Sequence, residues 1–343
     1  MVFQQVVVPP TRAAIFLVLT VTDGAEAVVR DVLADLSGIV RGVSFRVPTD
    51  ELDCVVGIGA DLFERLYAAP KPIHLHRFVA LEGARHRAVS TPGDLLLHLR
   101  ARHLDVCFEL AHQVSDRLRG AATIVDEVHG FKYFDERDLL GFVDGTENPE
   151  GARAVAAVSV GDEDPAYTGS SYVIVQKYLH DLDAWKSVSV EEQERVIGRS
   201  KLEDIEMSDE VKPKNSHVAL NTIADADGTQ RQIVRENMPF GEIGSAQFGT
   251  YFIGYAADPG VTEEMLRNMF LGNPPGNTDR ILDFSTAVTG SLFFVPTQDF
   301  LDDQPPAATV PAAEPASSGP VPTGPAGDGS LGIGSLRTPR PAS

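Results

Sequence analysis

The chain has 343 residues, 43% of them hydrophobic, enough core-forming material for one large domain or two. Its 49 acids against 29 bases give a formal net charge of -20, which argues against nucleic acid or an anionic membrane as the main partner. Cys54 and Cys107 are the only cysteines and lack CxxC spacing, which excludes a disulfide framework and a cysteine zinc site.

Residues 14–21 read as a buried strand. The apolar run that contains them follows Pro9-Pro10 and lacks a basic flank and a small-residue cleavage site, so it is not read as an export signal. No stretch reaches the length of a membrane span. Over residues 26–41, Val28, Val29, Val32, Leu33, Leu36, Ile39 and Val40 recur at helical spacing. A strand at 54–58, a short helix at 61–67 and a Pro-rich connection at 69–72 follow. A strand at 94–100, a helix over about 105–119 and a strand near 122–128 complete a β-α-β-β-α-β order, which is ferredoxin-like and α+β.

Next comes Gly141-Phe142-Val143-Asp144-Gly145-Thr146-Glu147-Asn148-Pro149. Asp-Gly followed by Asn-Pro is a turn signal, because glycine accepts positive φ and the residue before proline avoids the helical region. Leu139, Leu140, Phe142 and Val143 press apolar side chains up to Asp144, and a carboxylate in such surroundings is paired or catalytic. A second unit then begins, with a strand at 171–178 and a helix at 190–197. Residues 218–223 and 231–236 read as the two strands of a hairpin around Asp227-Gly228. A strand at 251–255, a helix at 262–270 and a closing strand at 291–295 finish it. The expected division is 1–150, 151–300 and a Pro/Ala/Gly-rich flexible tail over 301–343.

The combination of Gly141-Phe142-Val143-Asp144-Gly145, His217, Arg235 and Asn237 resembles the dye-decolourising peroxidases, and the asparagine two places after the arginine resembles their bacterial B-type branch. The resemblance covers roughly residues 10–300. It implies two ferredoxin-like halves packed around a haem pocket, with haem b held without covalent links because C-x-x-C-H is absent. It implies that His217 ligates the iron, that Asp144 shuttles the proton of hydrogen peroxide, that Arg235 stabilises developing charge and that Asn237 orients peroxide or water. Period two in a strand puts Arg235 and Asn237 on one face with Glu236 opposite. A structural ion pair between Asp144 and Arg235 is the competing account.

By the same resemblance Asp283 is the expected acceptor for the second nitrogen of His217; the alternative is that it caps a turn or pairs with Arg280. Thr146, Arg199 and Lys201 are expected at the cofactor, the two bases at its propionates, unless they form a solvated helix end. Trp185, Tyr251 and Tyr255 are candidates for carrying electrons from reductants at the surface; some B-type relatives oxidise manganese and Glu147 lies near the site, but acidic residues are too common in this chain to argue a second metal. The resemblance implies a homo-oligomer in the cytoplasm that takes electrons from an unidentified reductant such as a dye or phenol. The alternative function is a haem-binding or iron-releasing protein, which needs the ligand but no proton shuttle.

The tail does not end as plain linker. Asp328-Gly329-Ser330-Leu331-Gly332-Ile333-Gly334-Ser335-Leu336-Arg337 places three apolar residues on a solvating tether. It resembles encapsulin cargo-loading peptides, which implies docking to a shell protein through Leu331, Ile333 and Leu336; an incidental apolar end is the alternative.

Overall fold

The computed structural model describes residues 2–309. The motif at 328–337 lies outside the described residues. Residues 1–308 form one compact α+β unit. Strand Ala13–Val21 pairs antiparallel with Leu95–Ala101 on one side and Ala122–Phe131 on the other, and Asp53–Ile58 extends the sheet beyond Leu95–Ala101. Chain order across this half is fourth, first, third, second, the ferredoxin-like arrangement. Ile15, Leu17 and Leu19 enter the core beneath helices Glu26–Ser44 and Leu104–Arg117, whereas Ala14, Phe16 and Val18 enter a second core on the other face. Both faces are covered, so the strand is continuously apolar where a half-exposed one would alternate.

The second half repeats the order. Ser171–His180 pairs with Gln247–Ala256 and Ser291–Val295, and Gln247–Ala256 carries Val234–Arg235 and Met238–Glu242 on its far side. Phe16 stacks on Tyr251 at 4.2 Å, so inward faces of the two halves share one core. Their sheets join where Phe294 pairs with Ile58. Beside that seam a Cβ on Gly57 would sit 2.7 Å from the Phe293 Cβ, so the approach admits only glycine.

The hairpin expected over 218–236 is largely replaced. His217–Asn221 is a short helix whose N-cap, Ser216, accepts a hydrogen bond from the backbone N–H of Ala219. The Asp227-Gly228 turn forms, yet only Ile223–Ala224 and Gln230–Arg231 pair around it. Arg235 leaves that ribbon and pairs with Gly254 in the main sheet. Among the described residues no helix is long and apolar enough to cross a membrane.

Candidate active site

A cleft opens in the second half, lined by the 141–147 loop, the short helix at His217–Asn221 and the sheet. Its apolar lining includes Leu140, Phe142, Ile197, Phe252, Met265, Leu266, Met269 and Ile281. Two histidines line it, and their hydrogen bonds separate their roles. His180 has both ring nitrogens engaged by hydroxyls, Nδ1 with Ser285 at 2.8 Å and Nε2 with Thr250 at 2.9 Å. Burial holds its pKa down at about 4, so it stays neutral. His217 has Nδ1 2.7 Å from Asp279 Oδ2, which fixes the proton on Nδ1 and leaves the Nε2 lone pair for a metal.

Asp279 is fully buried. It caps the turn Arg280–Asp283, its Oδ1 accepting from the Ile281 N–H at 2.9 Å, and Asn221 Nδ2 reaches its Oδ2 at 3.4 Å. The partner of His217 is therefore Asp279 and not Asp283. Four residues on, as the last residue of that turn, Asp283 points elsewhere and pairs with Arg85 at 2.7 Å and His86 at 3.3 Å. Arg280 pairs with Glu192.

Further lining residues come from the glycine loop and the strand after the ribbon. Gly141 and Gly145 have φ of +91° and +83°, the turn conformation that the sequence suggested. Asp144 lines the cleft and accepts a hydrogen bond at Oδ1 from Asn237 Nδ2 at 3.2 Å. Asn237 Oδ1 accepts from the Ile253 N–H at 3.1 Å, which fixes the amide's orientation. Arg235 lines the same cleft, and its buried Nε has no hydrogen-bond partner. Among the described residues Asp144 and Arg235 form no ion pair. Glu236 turns the opposite way, onto Arg100, so the period of two holds here.

Asn148, read from the sequence only as a turn residue, holds the backbone of Arg235. A second acid, Asp138, also lines the cleft, and its Oδ1 accepts from the Phe142 N–H at 3.0 Å. Burial, with the Asp144 carboxylate adding to it, pushes Asp138 up to about 7. Nothing in the motif singles out either residue, because both act on backbone or at close range across a folded loop.

Thr146 lines the mouth, as does Arg199, whose guanidinium is already engaged by Glu147 at 2.7 Å and Asp204 at 2.9 Å. Lys201 does not line the cleft. Its ammonium is 2.5 Å from Gln193 Oε1 and sits over the rings of Phe142 and Trp185, where burial lowers its pKa. Trp185, Tyr251 and Tyr255 are all buried, so none presents its ring to a reductant at the surface. Trp185 Nε1 donates to the Leu140 carbonyl at 2.8 Å.

An apolar cleft lined by one histidine whose Nε2 is free of its carboxylate partner and by an arginine whose buried Nε is unpartnered fits a haem, whose ring needs apolar walls and whose iron needs one axial nitrogen. Chemistry of that kind places the chain among haem-dependent oxidoreductases. Comparison with known proteins narrows the class. A family model described as Dyp-type peroxidase, N-terminal, matches residues 4–132, and one described as Dyp-type peroxidase, C-terminal, matches residues 135–300. The chain belongs to the Dyp-type peroxidase family and is a peroxidase.

A dye-decolorizing peroxidase of Mycolicibacterium paratuberculosis is 64% identical over 303 residues, covering 88% of this chain and 86% of that one. The cryo-EM structure of the encapsulated DyP-type peroxidase from Mycobacterium smegmatis superposes with a TM-score of 0.88 at 61% identity, covering 89% and 99% of the two chains. A haem complex of a DypB variant from Rhodococcus jostii RHA1 gives 0.86 at 58% identity, covering 87% and 97%.

Proposed function

We propose that the protein binds one non-covalent haem b per subunit through His217 and reduces hydrogen peroxide with electrons from broad-range reductants such as dyes and phenolics. The observation that carries this reading is that His217, its Nδ1 committed to Asp279, shares one cleft with Asp144, Arg235 and Asn237. When bound, haem supplies the iron at which peroxide is split and holds the oxidising equivalents.

The chain's own residues manage proton and charge. As peroxide is split, one oxygen must lose a proton and the other must gain one before leaving as water. Asp144 is the carrier: Asn237 occupies its Oδ1, so Oδ2 takes the proton and returns it. Arg235 cannot serve as the base, because guanidinium keeps its proton above pH ~12. Its fixed cation stabilises the charge on the departing oxygen in a site that excludes water. Asn237 keeps a second Nδ2 proton with which to orient peroxide. Thr146 and Arg199 at the mouth hold the propionates, Arg199 by exchanging part of its present carboxylate contacts.

The likeness to an encapsulated peroxidase supports packaging of a homo-oligomer in a cytoplasmic encapsulin shell, with Leu331, Ile333 and Leu336 as anchors. Several tails on one oligomer would add weak contacts through effective concentration. Stopped-flow mixing of the haem-loaded protein with peroxide, then with a phenol, tests the activity: absorbance should change and then return. His217→Ala should bind no stoichiometric haem, and an unchanged haem spectrum in that variant refutes the ligand assignment. Deletion after Gly327 should abolish co-purification with the shell protein while activity persists; packaging of the truncated chain refutes the tail's role.

A further inference from the structure

Glu236 stands between Arg235 and Asn237 in the chain, turns to the opposite side, and ends on a charge buried in the other half of the protein. That charge is Arg100, 1% exposed, on strand Leu95–Ala101. The strand is an inner one: Arg100 pairs through its backbone with Ala14 on one side and with Asp53 on the other. Its guanidinium is used at both ends. Nη1 donates to the two Glu236 carboxylate oxygens at 2.6 and 2.5 Å, and Nη2 donates to Asp53 Oδ2 at 2.6 Å and to the Gln5 carbonyl. Partners in three directions fix a planar fork in place. His98 Nε2 lies 4.0 Å from the same Glu236 carboxylate, but burial together with Arg100 holds its pKa far below the usual range. His98 is therefore neutral, and the grip on Glu236 belongs to Arg100.

The sheet ladder is interrupted where Glu236 is held. Arg235 pairs with Gly254 and Met238 with Tyr251, so one register runs through both short strands. Between them the Glu236 N–H donates to the Ile253 carbonyl at 3.1 Å. In an unbroken antiparallel pair the Ile253 N–H would return to the Glu236 carbonyl; here it goes to Asn237 Oδ1 at 3.1 Å. Asn237 gains a fixed amide and the strand loses a rung. Asn148 holds Arg235 on the outer edge, which leaves the Glu236 side chain to hold the next residue from the inner face. A buried ion pair is a weak stabiliser, because desolvation offsets its attraction and an apolar pair of the same volume packs as well. What it adds is direction, since charge-assisted bonds of fixed length run to a head that three partners immobilise.

We infer that Arg100 is a positioning residue of the peroxide site: from the N-terminal half, and through Glu236, it fixes the interrupted segment that presents Arg235 and Asn237 to the cleft. The inference rests on the reading that these two residues act on peroxide. Arg100 touches neither peroxide nor cofactor. Its role is to replace the missing rung by a side-chain strut, so that the Arg235 cation and the Asn237 amide keep their places while the backbone between them is tied to Ile253 by one bond instead of two.

Haem-loaded, full-length protein tests this through the rate with peroxide in stopped flow, Tm, and backbone amide hydrogen exchange over residues 234–238. Glu236→Gln keeps the shape and removes the charge. It should lower the rate by about 10–10²-fold, the scale of a misplacement of up to an ångström, with haem content unchanged and exchange over 234–238 accelerated. Arg100→Lys reaches Glu236 but not Asp53 and the Gln5 carbonyl as well, and should fall between that variant and the unsubstituted protein. Arg100→Met combined with Glu236→Leu separates positioning from stability: Tm should return to near its original value while the rate stays low. In the unsubstituted protein, the Glu236 amide should exchange as slowly as those of Met238–Glu242, a readout independent of any variant's folding; exchange at the pace of a frayed edge would overturn the inference. So would a Glu236→Gln rate equal to the original, or a rate that recovers with Tm in the double variant. Arg235→Leu in the same assay tells the two readings apart. If it slows the reaction and Glu236→Gln does not, only the role of Arg100 falls; if Arg235→Leu leaves the rate unchanged, the reading of the site falls and this inference with it.

Discussion

Asn148 grips Arg235 by its backbone: Oδ1 accepts from the Arg235 N–H at 3.0 Å and Nδ2 donates to the Arg235 carbonyl at 2.7 Å. A side-chain amide thus takes the place of a neighbouring strand and ties the glycine loop to Arg235, the cation of the proposed mechanism. Because the loop also carries Asp144, this pair sets the spacing of acid and cation. Asn148→Ala should lower kcat/KM for peroxide by about 10²-fold, the scale of an ångström-level misplacement. Haem content and KM for the reductant should stay near wild type. An unaltered kcat/KM would show that the loop holds Arg235 by other contacts.

Asp279→Asn tests the carboxylate behind His217, the proposed iron ligand. It replaces a carboxylate by an amide of the same shape, so the loss reports charge and basicity more than packing. Haem affinity should fall by about 10–100-fold, as measured by titration of the haem-free protein. Asp283→Asn should leave it unchanged, since Asp283 pairs with Arg85 and His86. Equal losses in both variants would mean that the turn as a whole, not the Asp279 carboxylate, supports His217.

The division of labour opposite His217 is measured by Arg235→Leu and Asp144→Asn. Removing a preorganised cation from a water-poor site should cost about 10²–10³ in the rate of reaction with peroxide. Asp144→Asn removes the proposed proton carrier and should slow the same step, with a loss of its acid-side pH dependence. Should the Asp144 variant keep both rate and profile, proton transfer belongs to water ordered by Arg235.

Asp138 gives a prediction with a definite sign. Its carboxyl titrates at about 7 in the folded protein and near 3.8 when the chain unfolds. Between those values the folded state binds more protons, so this group's contribution to stability is complete below ~3.8 and is lost as pH rises through about 7. The window corresponds to at most ~4 kcal/mol, reduced by solvent at this half-buried side chain. Asp138→Asn should therefore gain Tm relative to wild type at pH 8 and gain little at pH 4. A difference independent of pH would show that Asp138 is not protonated in the folded state.

Much of this site was legible because its parts are local. Gly141 and Gly145 announce a turn, and the positions of Arg235 and Asn237 follow from a period of two that the main sheet enforces. The misreadings share one cause, which is that chain direction changes where the sequence shows only residue types. Val218 and Leu220 suggested a strand, but Ser216 caps a helix over His217–Asn221, and a capping serine was the signal available; Ile223 does enter a strand. Asp279 and Asp283 flank the same turn, and only the geometry of the cap decides which carboxylate meets the imidazole. Lys201 reads as a cation near the site, yet the rings of Phe142 and Trp185 draw it aside, contacts made by residues far apart in the chain.

The seam at Gly57 and Phe293 bears on how such proteins diversify. The halves abut along one backbone pairing, Phe294 with Ile58, with a phenylalanine ring of one set against the bare backbone of the other. Chimeras that exchange a half between relatives must therefore transmit glycine and aromatic ring together, as a key travels with its lock. A recombination library scored for soluble, haem-loaded products should show this linkage as a bias, with crossovers surviving where both positions keep their complementary sizes and failing where a side chain larger than hydrogen meets the ring.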